Sequence, residues 1–157
     1  MDVKYINPFL EALISVLGSF GVTEVKKAGI QKKENMYVNM DITALIGLVG
    51  GVRGNVAYSF SMETAGQLVS AMMKGAPVRE FDEIARSAVG ELANIITGTA
   101  SGIISGMLDK KDTLVDTTPP SVIFGREIYF IISSVPTIAV SLDTRFGRIE
   151  VNIGLEM

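Results

Sequence analysis

The chain contains no cysteine and no histidine. The first absence removes thiol nucleophiles and disulfides, the second removes imidazole bases, and together they exclude every metal site built on those ligands. Any chemistry must therefore use carboxylates, amides, hydroxyls or the backbone. Clustered positive charge is missing as well. The formal net charge is −3, and the basic pairs Lys26-Lys27, Lys32-Lys33 and Lys110-Lys111 are too short to form a nucleic-acid or anionic-membrane surface. These pairs read as solvated loops. The segment from Met1 to Pro8 lacks the charged start and apolar run of a secretion signal, and glycine interrupts each apolar stretch before it could span a bilayer. The expectation is a soluble cytoplasmic protein with no nucleic-acid and no membrane partner.

What is present is apolar material for a core. With 157 residues, 48% hydrophobic and 20% charged, the chain fits a single domain over residues 1–157. Asn7-Pro8 reads as a helix start, with Asn7 as the cap, Phe9, Leu10, Leu13, Ile14, Val16 and Leu17 as the apolar stripe and Gly18 as the stop. From Tyr37 the pattern alternates, runs through Leu45 to Val49, turns at Gly50-Gly51 and returns from Val52 to Phe60 as a hairpin with Gly54 as a bulge. Ser61 caps a second helix over Met62 to Met73, ended by Lys74-Gly75.

The longest helix opens near Asp82 and runs to about Met107. Five β-like runs follow: Leu114 to Thr118, a break at Pro119-Pro120, Val122 to Phe124, Ile128 to Ser133, Thr137 to Leu142 and Ile149 to Leu155. The order helix, strands, helix, helix, strands predicts an α+β fold made of two halves of similar plan. They join near residues 74 to 82 and share one core.

On a helical wheel the long helix places Ala85, Ala88, Leu92, Ile95, Ile96 and Ile103 on a side that would face a sheet. Ser87, Glu91, Asn94 and Gly98 lie nearly opposite, and steps of four and three residues put Ser87, Glu91 and Asn94 on one line. Gly90, Asn94, Gly98, Gly102 and Gly106 recur every fourth residue. Four glycines within a helix cost about 3 to 4 kcal/mol relative to alanine, so the stripe needs a compensating reason. One reason is a seam where another helix packs backbone to backbone. The other is clearance, which would leave Glu91 and Asn94 standing free for a partner.

Ser87-Ala-Val-Gly-Glu91-Leu-Ala-Asn94 resembles the [Asp/Ser]-x-x-x-Glu-x-x-Asn signature of the CheC/CheX/FliY family of chemotaxis phosphatases. The hairpin from Ile46 to Ser61 and the segment Asp116-Thr117-Thr118-Pro119-Pro120-Ser121 resemble further parts of that family, so that nearly the whole chain is covered. In the family both halves can carry the motif. The first helix here offers Glu11 but has Ile14 where the Asn would stand, which implies one working site and the CheX-like branch.

The resemblance implies a CheC/CheX-like fold, with one antiparallel-rich sheet packed by helices. It also implies a phosphatase that removes the aspartyl phosphate of a CheY-like response-regulator receiver. Glu91 and Asn94 would be the catalytic pair: Asn94 enters the receiver's site and orients the attacking water, and Glu91 pairs with the receiver's active-site lysine. Ser87, Gly90 and Gly98 would form the partner-binding surface. The resemblance further implies a homodimer and a Mg²⁺ ion carried by the receiver, with no cofactor belonging to this chain. An adaptor that binds a receiver without hydrolysis, and a structural dimer in a signalling assembly, are the alternatives.

Three acids, Glu80, Asp82 and Glu83, suggest a cation site less readily than a helix cap in a favourable dipole. Met36, Met40, Met62, Met72 and Met73 read as core filler. Gly50-Gly51 with Gly54 lacks the strand-to-helix setting of a nucleotide loop.

Overall fold

A short 3₁₀ turn, Val3–Tyr5, leads into α1 (Asn7–Ser19), whose apolar spacing buries Phe9, Ala12, Leu13, Val16 and Leu17 on one face. The computed structural model describes residues 3–109, 114–125 and 129–156. The cap of α1 is Ile6, with no side-chain cap bond, and Asn7 is already the first helical residue. Asn7 therefore does not cap, and Pro8 falls within the first turn, where a missing N–H is tolerated.

Four strands follow: β1 (Lys26–Lys33), β2 (Met36–Val38), β3 (Ile42–Gly50) and β4 (Arg53–Phe60). β1 corrects the expectation that Lys26-Lys27 and Lys32-Lys33 belong to solvated loops. It is an antiparallel edge strand on β8 (Thr137–Thr144), with a register shift between Lys27 and Gly29. Its backbone pairs on one side only, and lysines on such an edge discourage further strand addition. Lys110-Lys111 lie outside the described residues.

The two later helices begin where local chemistry dictates. Ser61 Oγ accepts the Thr64 N–H at 3.1 Å to cap α2 (Met62–Met72), and the chain leaves it through Lys74 and Gly75 at positive φ. Asp82 Oδ1 accepts the Ala85 N–H at 2.9 Å to cap α3 (Glu83–Met107). The remaining strands are β5 (Val115–Thr117), β6 (Ser121–Phe124), β7 (Phe130–Ser133), β8 and β9 (Gly147–Glu156).

Among the described residues, seven strands form one antiparallel sheet in the order β1-β8-β9-β4-β3-β5, with β6 also on β3. The halves are interleaved: β8 and β9, which follow α3, lie between β1 and β4, which follow α1. Alternation assigns the faces. Ile42, Ala44, Ile46, Val56, Tyr58, Phe60, Val140, Val151 and Ile153 join the helices in the main core. On the opposite face a two-stranded ribbon of β2 and β7 covers a small cluster of Met36, Val38 and Ala57. Gly54 is not a bulge, since β3 and β4 keep continuous register from Ile42↔Phe60 to Leu48↔Gly54. Its φ of +151° instead brings the backbone against Gly154 of β9, a close approach that only glycine permits.

β5 and β6 share one edge of β3 and are interrupted between Thr117 and Ser121. Pro119 and Pro120 fall in the interruption, because neither has an N–H to give the ladder. Thr118 carries the pairing across the gap: its N–H donates to Gly47 O at 2.9 Å, and its hydroxyl accepts the Gly47 N–H at 2.8 Å.

Candidate functional site

α3 lies against β3, β5 and β6 on one side and against α1. Its buried face is Ala85, Val89, Gly90, Leu92, Ala93, Ile96, Thr97, Ala100, Ser101 and Ile104. This face is rotated from the one the large aliphatic residues suggest. Ile103 is exposed and Ala88 and Ile95 are only half-buried, whereas small residues such as Ala93, Thr97 and Ala100 are buried, and Thr97 bonds to Tyr58 of the sheet. Small side chains let the helix axis approach the sheet closely, a contact that a count of bulky residues overlooks.

The rotation turns the motif outward. Ser87, Glu91 and Gly98 are exposed and Asn94 is half-buried. Side chains three apart on a helix lie roughly 5 to 6 Å apart at Cβ, so one small group can touch both Glu91 and Asn94. Among the described residues neither side chain has a hydrogen-bond or ion-pair partner. Helical side chains lean toward the N-terminus, so Asn94 projects over the turn that contains Gly90 and Glu91.

The glycine stripe divides into two parts. A Cβ at Gly98, Gly102 or Gly106 would meet nothing within 4 Å, so these three are not a packing seam with α1. Gly90 differs. It is buried, and a methyl group there would sit 3.4 Å from Pro120 Cγ and 3.5 Å from Val122 Cγ2. Pro120 and Val122 cover Gly90, which places its backbone behind the more exposed Glu91.

Behind the face, Thr97 Oγ1 donates to Ala93 O at 2.7 Å and lies 2.8 Å from the Tyr58 hydroxyl. Burial pushes the Tyr58 phenol well above its ordinary range. Sequence patterning does not single out this pair, although a tyrosine at an inward position of a strand signals a buried hydroxyl in need of a partner. Nor does it single out Ile84, which is 65% exposed and one heptad before Glu91 on the same face. α1 presents Glu11 and Ile14 to solvent, Ile14 being 45% exposed, so the second motif position is occupied by a side chain that cannot hold a water.

Asp82, of the three acids near the start of α3, is committed to its cap. Among the described residues no group of three or more acidic side chains is placed to hold a metal ion, and no helix is long and apolar enough to cross a membrane.

Residues 42–139 match the family model described as chemotaxis phosphatase CheX. The chain is 33% identical over 128 residues to the CheY-P phosphatase CheX of Thermotoga maritima, covering 82% of this chain and 80% of that protein. A CheC-like superfamily protein from Shewanella sp. PV-4 has the same fold, with a TM-score of 0.86 at 28% identity over 100% of both chains. The fold also recurs in the CheX of a CheX–CheY–BeF3–Mg²⁺ complex from Borrelia burgdorferi, with a TM-score of 0.80 at 24% identity, covering 99% of this chain and 100% of that one. The match to the family model and the extended identity to the Thermotoga protein make this chain a member of the chemotaxis phosphatase CheX family.

Proposed function

We propose that the protein hydrolyses the aspartyl phosphate of a CheY-like receiver domain, with Asn94 positioning the attacking water and Glu91 docking on the receiver's active-site lysine. The observation that carries this reading is the pair itself. Glu91 and Asn94 stand without partners on one face of α3, with open space around Gly98 and Gly102, in a chain related to a CheY-P phosphatase.

The chemistry suits these side chains. Hydrolysis of an acyl phosphate depends mainly on placing a water in line with phosphorus and on stabilising charge. An amide can donate to a water and accept from it at once, so Asn94 orients the nucleophile without acting as a base. Glu91 offers a carboxylate to a cation on the partner, and such a pair fixes register across an interface. Ser87, Gly98 and Ile84 extend the contact along the same face. The Mg²⁺ ion belongs to the receiver in this scheme, and this chain contributes no cofactor.

A homodimer is part of the same proposal. Tyr129, Phe130 and Ile131 at the start of the β2–β7 ribbon are all exposed, and a cluster of large apolar side chains favours burial against a second copy. The cytoplasm, where phosphorylated receivers reside, is its proposed location.

The test separates hydrolysis from sequestration. A phosphorylated receiver is mixed with substoichiometric protein and inorganic phosphate is followed. Multiple turnovers per protein molecule support a phosphatase, whereas saturable binding with an unchanged phosphate lifetime would leave only an adaptor.

A further inference from the structure

The connection between β5 and β6 is fastened at both ends. At one end Thr118 exchanges two hydrogen bonds with Gly47, at 2.9 and 2.8 Å, and a methyl at Gly47 would lie 3.0 Å from Thr118 Cγ2. At the other end Phe124 lies beneath the Arg86 guanidinium, 4.3 Å from its ring centroid, and against Phe81. Between these anchors two consecutive prolines hold φ near −65°, so the segment is stiff as well as tethered.

Pro120 is the point where this stiff segment meets α3. It approaches Gly90 on the helix, and Gly90 lies one turn before Asn94. Because helical side chains lean back over the preceding turn, the Asn94 amide projects toward the place where the proline ring crosses the helix. A Cβ at Gly90 would stand 3.4 Å from Pro120 Cγ, an ordinary van der Waals distance, so the ring lies just over the helix surface at this point. Asn94 is half-buried while Glu91, on the far side of the line, is exposed, as expected if a wall stands on the Asn94 side alone.

We propose that Pro120 is a positioning residue for Asn94: its ring, seated on Gly90, forms the side wall that restricts the Asn94 amide to the rotamer presented outward to the receiver. This inference rests on the proposed phosphatase reading. It gives the prolines a task beyond ending a strand. An amide that orients a nucleophile works best when it is held in place before the receiver docks, because a small misplacement of the attacking water is expensive in rate.

The experiment compares wild type, Asn94→Ala, Pro120→Ala and Pro120→Val in two measurements. The first is receiver dephosphorylation, resolved into kcat and KM. The second is the NMR order of the Asn94 side-chain amide in the free protein, which needs no receiver. Pro120→Ala should lower kcat at least about fivefold while KM stays within about twofold, with a drop in Asn94 amide order; Pro120→Val, which restores bulk, should recover both. Wild-type kcat in Pro120→Ala, or unaltered Asn94 amide order, would overturn the wall. A wild-type protein that fails to shorten receiver-phosphate lifetime would instead overturn the phosphatase reading, and the amide measurement would still judge the wall.

Discussion

The Tyr58 hydroxyl lies 2.8 Å from the Thr97 hydroxyl, three residues along α3 from Asn94. Thr97 has a single hydroxyl proton, and it is directed at Ala93 O at 2.7 Å. Tyr58 must therefore be the donor in the pair. This buried bond joins β4 to α3 and fixes the rotation of the helix on the sheet, and with it the direction in which Glu91 and Asn94 point.

Replacing Tyr58 by Phe keeps the ring and removes the bond, which should cost about 1 kcal/mol of stability. Burial raises the Tyr58 phenol's pKa, so the folded state favours the neutral form. The stabilisation from Tyr58 is fully present below the unfolded phenol's pKa, about 10, and is lost as pH rises from there toward the folded value. In denaturant melts the advantage of wild type over Tyr58→Phe at pH 8 should therefore shrink above about pH 10 and then reverse. A wild-type advantage that grew with pH would contradict this assignment.

Gly98 has open space where a Cβ would be. Gly98→Ala should raise stability by up to about 1 kcal/mol, the usual helical advantage of alanine, as read by thermal unfolding. Gly98→Leu should fold and yet lose receiver binding, because the larger side chain stands on the proposed docking face. Unfolding of Gly98→Leu would mean that the glycine stripe serves internal packing.

Lys33 is buried on the other face of the sheet. Its Nζ donates to Tyr37 O at 3.0 Å, Glu150 Oε1 at 3.0 Å and Asn152 Oδ1 at 2.8 Å, and it lies 4.1 Å from the Tyr37 ring centroid. Lys33→Met should cost about 3 kcal/mol, because Glu150 and Asn152 lose their cation while remaining largely enclosed. Adding Glu150→Gln should give a total below the sum of the single losses. Additive losses in urea melts would show that the two side chains are not coupled.

The caps are legible in the sequence because they are local: Ser61 and Asp82 each act on an N–H three residues away. The motif line is legible for the same reason, since helical spacing alone aligns Ser87, Glu91 and Asn94. β1 is not, because its lysine-rich sequence has no strand periodicity of its own and becomes a strand only through pairing with β8, more than a hundred residues away in the chain. The rotation of α3 is hidden by Ile103, since the burial of Ala93, Thr97 and Ala100 depends on how the helix is seated in the fold. The burial of Gly90 is hidden for a similar reason. Nothing near it in sequence announces Pro120, which arrives thirty residues later. What Glu91 pairs with is not legible at all, because among the described residues it has no hydrogen-bond or ion-pair partner.

Glu91 should contribute to docking more than to the chemical step. Glu91→Gln removes the charge while keeping the shape, so KM for the phosphorylated receiver should rise several-fold with a smaller change in kcat. The dependence of binding on salt should also weaken, because a charge pair at an exposed interface is screened. Unchanged affinity in a titration with receiver would remove Glu91 from the interface.

The most direct test concerns Asn94. A phosphorylated receiver is mixed with excess protein, either wild type or Asn94→Ala, and single-turnover loss of the aspartyl phosphate is followed alongside receiver affinity. The account predicts rapid hydrolysis by wild type, and in Asn94→Ala a rate at least about a hundredfold slower with affinity nearly preserved, as for loss of a water-positioning group. Equal rates for the two proteins would contradict it.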